Sequence, residues 1–124
     1  MPISYTVDAE RRVVFERWSG SVTAKDISDY WHTLTHDRHA LSIRRSLADL
    51  RGMEIRFSEV DFFFLIRTVA LPGLGNFKWT AAIVVDKDAV RAVRRQVQIY
   101  MQTFSRSMKF SDRDAALEWV LEQQ

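Results

Sequence analysis

The middle of the chain contains the stretch Trp79-Thr80-Ala81-Ala82-Ile83-Val84-Val85, which is apolar except for Thr80 and in which polar and apolar positions do not alternate. A strand with one exposed face alternates, whereas a strand that helices cover on both faces is apolar throughout. The run therefore predicts a central strand of a parallel sheet. We expect Asp86, directly after the run, to cap a long helix over about residues 88–104.

Strands and helices alternate on either side of this run. Patterns of period two or of β-branched residues predict strands over residues 3–7, 12–18, 43–50, 79–85 and 107–110. Helices are expected over residues 24–37, 59–71, 88–104 and 112–120. The order β-β-α-β-α-β-α-β-α predicts an α/β fold with a largely parallel five-stranded sheet and an antiparallel edge strand. No linker divides the chain, so residues 1–124 are expected to form a single domain.

Three of these helices begin with the spacing of a capping box, in which a hydroxyl and a carboxylate three residues apart bond the first free amides. The pairs are Thr23 with Asp26, Ser58 with Asp61, and Ser111 with Asp114. Pro72-Gly73 is expected to end the second helix.

Composition excludes several classes of protein. The chain of 124 residues is 47% hydrophobic and has no cysteine, which rules out a disulfide scaffold, a thiol nucleophile and an iron–sulfur cluster. Its 18 basic and 16 acidic residues nearly balance, so we expect no nucleic-acid partner. With no signal peptide and no apolar run longer than five residues, the chain is expected to be cytoplasmic and to lack a transmembrane segment.

Three segments resemble the STAS/SpoIIAA-like superfamily, and in particular the small stand-alone bacterial proteins described as STAS/SEC14-like. They are Tyr5-Thr6-Val7-Asp8 with the hairpin that continues to Thr23, Leu47-Ala48-Asp49-Leu50-Arg51-Gly52, and Asp112-Arg113-Asp114-Ala115-Ala116-Leu117-Glu118-Trp119-Val120. The founding members are anti-sigma factor antagonists. The resemblance implies a SpoIIAA-like fold and a regulatory role exerted through a protein partner.

The resemblance also implies a phosphorylatable hydroxyl where the helix after the third strand begins, and Ser58 matches it. The surroundings depart from the family pattern, because Phe57 replaces an aspartate and Glu59-Val60 replaces Ser-Gly. The two acidic neighbours Glu59 and Asp61 would repel a phosphate. Ser58 is therefore either a helix N-cap alone or a candidate phosphosite.

The second helix has more apolar residues than one buried face requires. Phe62, Leu65, Ile66 and Val69 already form a complete core stripe. Further apolar residues lie off this stripe or in the adjoining segment: Val60, Phe63, Phe64, Leu71, Leu74, Phe77 and Trp79. They are core, a homodimer or protein interface, or a groove for a lipid-like ligand.

Polar clusters on the other helices have weaker implications. His32 and His36 have the spacing of two metal ligands but not a metalloprotease motif, so a solvated face is the competing interpretation and we expect no metal or other cofactor. The basic stripe Arg91, Arg94 and Arg95 is either a candidate anion-binding surface or a solvated helix face.

No catalytic constellation is visible in the sequence. Asp49 and Asp86 are expected at the carboxyl ends of neighbouring strands, where a turn and a helix cap explain them equally well. We therefore expect a non-enzymatic regulatory interaction module that forms a homodimer through the second helix. The alternative is a carrier or sensor of a small apolar ligand held between the second and third helices.

Overall fold

The computed structural model describes residues 2–74, 78–104 and 106–123. The elements in chain order are β1 (Ile3–Asp8), β2 (Val13–Trp18), β3 (Gly20–Thr23), α1 (Ala24–Leu34), α2 (Arg38–Ile43), β4 (Arg45–Asp49), β5 (Met53–Arg56), α3 (Glu59–Leu65), a π-helical segment (Ile66–Ala70), α4 (Leu71–Leu74), β6 (Thr80–Val84), α5 (Arg91–Thr103), β7 (Ser107–Phe110) and α6 (Arg113–Glu122). Within this part of the chain, no helix has the length and apolar character needed to cross a membrane.

The main sheet has the strand order β1-β2-β4-β6-β7. β1 pairs antiparallel with β2, and the remaining pairs are parallel. The predicted α/β fold with a five-stranded, largely parallel sheet is thereby confirmed. The short elements α2, β3 and β5 were not predicted, and β3 and β5 form a separate two-stranded parallel sheet.

Helices cover both faces of the main sheet, which explains the continuous apolar run in β6. Every residue of β6 is buried. Ala81 and Ile83 pack into the larger core beneath α1, α2, α3 and α5, while Ala82 and Val84 face the smaller core beneath α6. The lack of alternation in the sequence therefore reflects two cores, one on each side of the strand.

Three predicted helix boundaries are wrong, because the residues expected at these positions make other contacts or because a neighbouring residue is the cap. α1 ends at Leu34, and Asp37 instead caps α2 by accepting the Ala40 N–H at 3.1 Å. Asp86 does not cap α5, which begins at Arg91, but accepts the Gly52 N–H at 2.9 Å. At α6 the N-cap is Asp112 and not Ser111.

The second predicted helix does not end at Pro72. It continues from α3 through the π-helical segment into α4, which contains Pro72. The Leu71 N–H bonds to the Ile66 carbonyl, five residues earlier. Proline has no N–H and crowds the carbonyl four residues before it, so the wider π turn directly before Pro72 accommodates it.

Candidate functional site

The outer face of α3 and the first residue of α4 expose several large apolar side chains. Val60 is 77% exposed, Phe64 62% and Phe63 47%, and Leu71 is also exposed. We call these four residues the α3 surface. Beneath it, Phe62, Ile66 and Ala70 are buried against the core, so the helix is attached by one stripe and its surplus apolar residues face outward.

The charged residues around the α3 surface form a polar border. Glu59, Asp61 and Arg67 are exposed. The Arg67 guanidinium lies over the Phe63 ring at 5.5 Å from its centroid, a cation–π contact that orients the ring. An apolar centre with a charged rim is the usual composition of a protein interface.

Two of the described residues predicted to belong to the same patch do not lie on it. Leu74 is 1% exposed and lies in the core, so it cannot contribute to a surface interface. Trp79 is also buried, and its indole N–H donates to the Ser46 hydroxyl at 3.0 Å. Phe77 lies outside the described residues.

A cavity of about 40 Å³ lies between the main sheet and the helices α1, α3, α4 and α5. Its walls are mostly apolar: Trp18, Trp31, Ala48, Leu50, Met53, Phe57, Phe62, Leu74, Ala81, Ile83, Val97 and Tyr100. Three polar side chains also line it, Glu16, Ser46 and Gln96. A space of this size holds one or two water molecules.

Glu16 is a buried acid in the middle of β2. Its carboxyl accepts a hydrogen bond from the Trp18 indole N–H at 3.1 Å. Burial raises the pKa of Glu16, although the Trp18 hydrogen bond and the nearby Tyr30 and Ser46 hydroxyl groups oppose the shift. The raised pKa favours the neutral carboxylic acid in an apolar surrounding.

Two more polar groups are buried next to this acid. The Gln96 Oε1 and the Tyr30 hydroxyl are both inaccessible, and neither has a hydrogen-bond partner of normal geometry within the described part of the chain. Burial, and after it the charge of Glu16, raise the pKa of Tyr30 well above its ordinary value. A buried carbonyl acceptor without a donor is costly, so the cavity favours an occupant that carries an N–H or O–H group.

Neither Glu16 nor Gln96 was singled out from the sequence, although both have a recognisable signal. Glu16 lies between Val14 and Trp18 at period two, so a strand that buries these two residues must bury the acid as well. Gln96 follows the buried Val93 by three residues on α5. Both signals require knowledge of which face is buried.

Ser58 lies exposed at the start of α3, as predicted for an N-cap. Its hydroxyl accepts the Asp61 N–H at 3.0 Å, and its backbone is extended. Val60, the first residue of the α3 surface, follows two residues later in the sequence.

His32 and His36 do not share a helical face, because α1 ends at Leu34. The His36 Nδ1 lies 2.7 Å from the His32 carbonyl oxygen, which occupies one ring nitrogen. Within residues 2–74, 78–104 and 106–123, no three His, Asp or Glu side chains are grouped to hold a metal ion.

Arg91, Arg94 and Arg95 are exposed on α5 and border an open groove with Lys109. Arg95 already has partners, since its guanidinium lies 3.6 Å from the Glu59 carboxylate and donates to Gln98 at 3.2 Å. The groove remains a candidate anion site.

The two strand-end carboxylates hold a turn. Asp49 receives the Arg51 guanidinium at 3.0 and 2.8 Å and lies 3.1 Å from Arg17. Burial would raise the pKa of Asp49, but the hydrogen bonds from Arg51 and the charge of Arg17 outweigh it and lower the pKa. Asp86 fixes the same turn through the Gly52 amide, where φ is +80°. These contacts give both acids a structural role.

Comparison with known proteins gives a fold and no close relative. No family model matches the chain, and no curated protein matches it in sequence. The anti-sigma factor antagonist SpoIIAA in its unphosphorylated form superposes with a TM-score of 0.62 at 11% identity, covering 98% of this chain and 99% of that one. The Bacillus cell fate determinant SpoIIAA in its phosphorylated form superposes with a TM-score of 0.54 at 12% identity, covering 90% and 96%. The chain therefore has a SpoIIAA-like fold over nearly its whole length.

Proposed function

We propose that the chain is a non-enzymatic, cytoplasmic regulatory module of STAS type that binds other protein chains through the α3 surface, beginning with a second copy of itself. The observation that carries the proposal is the exposure of Val60, Phe63 and Phe64 on a single helix. The fold match to SpoIIAA, an anti-sigma factor antagonist, supports a regulatory role.

Burial of this surface would release a substantial free energy. Apolar area removed from water contributes about 25 cal/mol per Å². Aromatic side chains in the centre of an interface supply most of the binding energy, and here two phenylalanines occupy that position. The residues Glu59, Asp61 and Arg67 at the border carry both signs of charge, so two copies related by a twofold axis can pair opposite charges.

A double substitution tests this proposal. Phe63→Glu with Phe64→Glu places two like charges at the centre and should give a folded monomer. Leu121→Glu is the matched control, since Leu121 is an exposed apolar residue of α6 on the other side of the sheet. Light scattering and circular dichroism distinguish a folded monomer from an unfolded aggregate, and the latter would show that the two rings are core.

Ser58 is the proposed regulatory site of this surface. Phosphorylation would add close to two negative charges beside Glu59 and Asp61, at the N-terminus of the helix that carries the interface, and would weaken association with an acidic or apolar partner. Phosphopeptide mapping of the protein purified from its native cells tests the assignment. An unmodified Ser58 under all growth conditions would leave only the cap.

The cavity favours a second candidate function, a carrier or sensor of a small apolar ligand. The supporting observation is the unpartnered Gln96 Oε1 beside Glu16 in an otherwise apolar space. The cavity is smaller than such a ligand, so α3 would have to move outward. Native mass spectrometry of the purified chain should then show a bound molecule that is lost in Ala48→Leu, which fills the cavity; a mass equal to that of the bare chain would contradict the candidate.

A further inference from the structure

Each parallel strand of the main sheet has a basic residue just before it. Arg12 precedes β2, Arg44 precedes β4, Lys78 lies two residues before β6, and Arg106 precedes β7. The amino ends of parallel strands meet at one edge of a sheet, so the topology brings these side chains together. Arg45, the first residue of β4, lies at the same edge.

These side chains line a pocket of about 390 Å³ at the amino edge of the sheet. Five of its described lining residues are basic: Arg12, Arg44, Arg45, Lys78 and Arg106. The other two are Ile43 and Gln123, so no described lining residue is acidic. A chain with a net charge of only +2 thus concentrates five positive charges in one concavity, which focuses the field there.

Backbone conformation separates this pocket from an ordinary basic surface. Among the described residues, three residues other than glycine have a positive φ: Arg12 at 58°, Arg44 at 63° and Lys78 at 55°. All three line the pocket. At the two other left-handed positions, the chain has Gly20 and Gly52. Glycine adopts this conformation without the steric cost that a Cβ brings. The geometry of the turns therefore does not explain why these three positions carry long cationic side chains.

Part of the positive charge has a structural role. Arg45 donates to the carbonyls of Val120, Leu121 and Gln123 at the end of α6, and Arg12 donates to the Ser42 carbonyl. Arg44 and Lys78 are exposed, and neither forms a side-chain hydrogen bond or an ion pair within the described residues. These two cations are therefore available to a ligand.

We propose that the pocket binds a small soluble molecule that carries a phosphate or pyrophosphate group, with Arg44 and Lys78 as its direct ligands. A guanidinium offers two parallel donors to phosphate oxygens, and an ammonium supplies a compact charge. The volume and concave shape fit a small molecule better than a flat membrane or a nucleic-acid backbone. This site lies at the opposite edge of the sheet from Asp49 and Asp86, and it does not depend on the α3 surface.

Calorimetric titration with inorganic pyrophosphate, at an ionic strength held constant with chloride, tests the site. We expect saturable binding of one anion per chain, weakened about tenfold by Arg44→Ala and by Lys78→Ala. Arg38→Ala with Lys87→Ala is the matched control, because it removes two exposed basic residues that line neither the pocket nor the α5 groove, and it should leave the affinity unchanged. No saturable binding, or an equal loss in the control variant, would overturn the proposal.

Two further measurements distinguish the proposed ligand site from a purely structural role of Arg44 and from a surface that binds membranes. Arg44→Gly should bind pyrophosphate weakly while its thermal midpoint stays the same or rises, because glycine relieves the left-handed turn; a lower midpoint would assign Arg44 a purely structural role. Vesicles containing phosphatidic acid should not sediment the chain. Sedimentation with vesicles in the absence of pyrophosphate binding would contradict a small-molecule site.

Discussion

The Trp18 indole donates its N–H to the Glu16 carboxyl, two residues earlier on the same buried face of β2, at 3.1 Å. Glu16 thus lies inside the larger core, where the Trp18 ring also packs edge-on against Trp31 and Tyr30. Burial raises the pKa of this carboxyl, although the Trp18 hydrogen bond opposes the shift, and the raised pKa makes the stability of the fold dependent on pH.

Stability should decline as the pH rises through the pKa of Glu16. The folded chain has the higher pKa, so it binds more protons than the unfolded chain between the two values, and the slope of stability against pH is negative there. Each pKa unit by which the folded value exceeds the unfolded value corresponds to about 1.4 kcal/mol in the free energy of unfolding. Urea unfolding at several pH values should show the decline in the wild type and not in Glu16→Gln; an identical slope in both would place the titration elsewhere.

Asp49→Ala should destabilise the fold by about 2–3 kcal/mol, because it leaves the Arg51 and Arg17 guanidinium groups without their nearly buried carboxylate. The matched control is Asp29→Ala, which breaks an exposed pair with Lys25 and should cost less than about 0.5 kcal/mol. Chemical denaturation measures both. Equal losses would show that burial of Asp49 has no effect.

Gly73→Ala should destabilise α4 by about 1–3 kcal/mol, since the new Cβ would lie 2.7 Å from the Thr35 Cβ and still closer to its methyl group. Thr35 ends α1, so the clash would push the two helices apart. In a Thr35→Gly background the same substitution should cost clearly less. A double-mutant cycle without coupling would contradict the close contact.

Ser58→Ala should cost about 1 kcal/mol, because the first turn of α3 loses its cap, while Ser58→Asp should keep most of the stability. Ser111→Ala is an informative control. Its sequence pattern is the same, but Asp112 is the cap of α6, so the free energy of unfolding should hardly change. A loss at Ser111 as large as that at Ser58 would contradict the assigned caps.

The parts of the fold that follow from local chemistry could be predicted from the sequence. The apolar run in β6 indicated a strand covered on both sides, and the Thr23–Asp26 pair is the capping box of α1, with both hydrogen bonds formed. Two predictions made from local sequence alone were wrong, the cap at Asp86 and the helix end at Pro72. Asp86 bonds Gly52, 34 residues away, and a π turn carries the chain past Pro72.

In the candidate site, too, some features follow from local sequence and others depend on how distant strands pack. The exposure of Val60, Phe63 and Phe64 matches the surplus noted in the second helix, because helical periodicity alone separates these residues from the core stripe. The cavity and the basic pocket depend on which strands are neighbours. Glu16 and Lys78 acquire their surroundings only when β2, β4 and β6 come together.

Sedimentation equilibrium of the wild-type chain from about 1 to about 100 µM, beside the Phe63→Glu, Phe64→Glu variant, is the decisive measurement for association through the α3 surface. The wild-type mass should rise from 14.5 kDa towards twice that value, while the folded variant should stay at 14.5 kDa throughout. A wild-type mass of 14.5 kDa at every concentration, or a variant that dimerises as well as the wild type, would contradict an interface on the α3 surface.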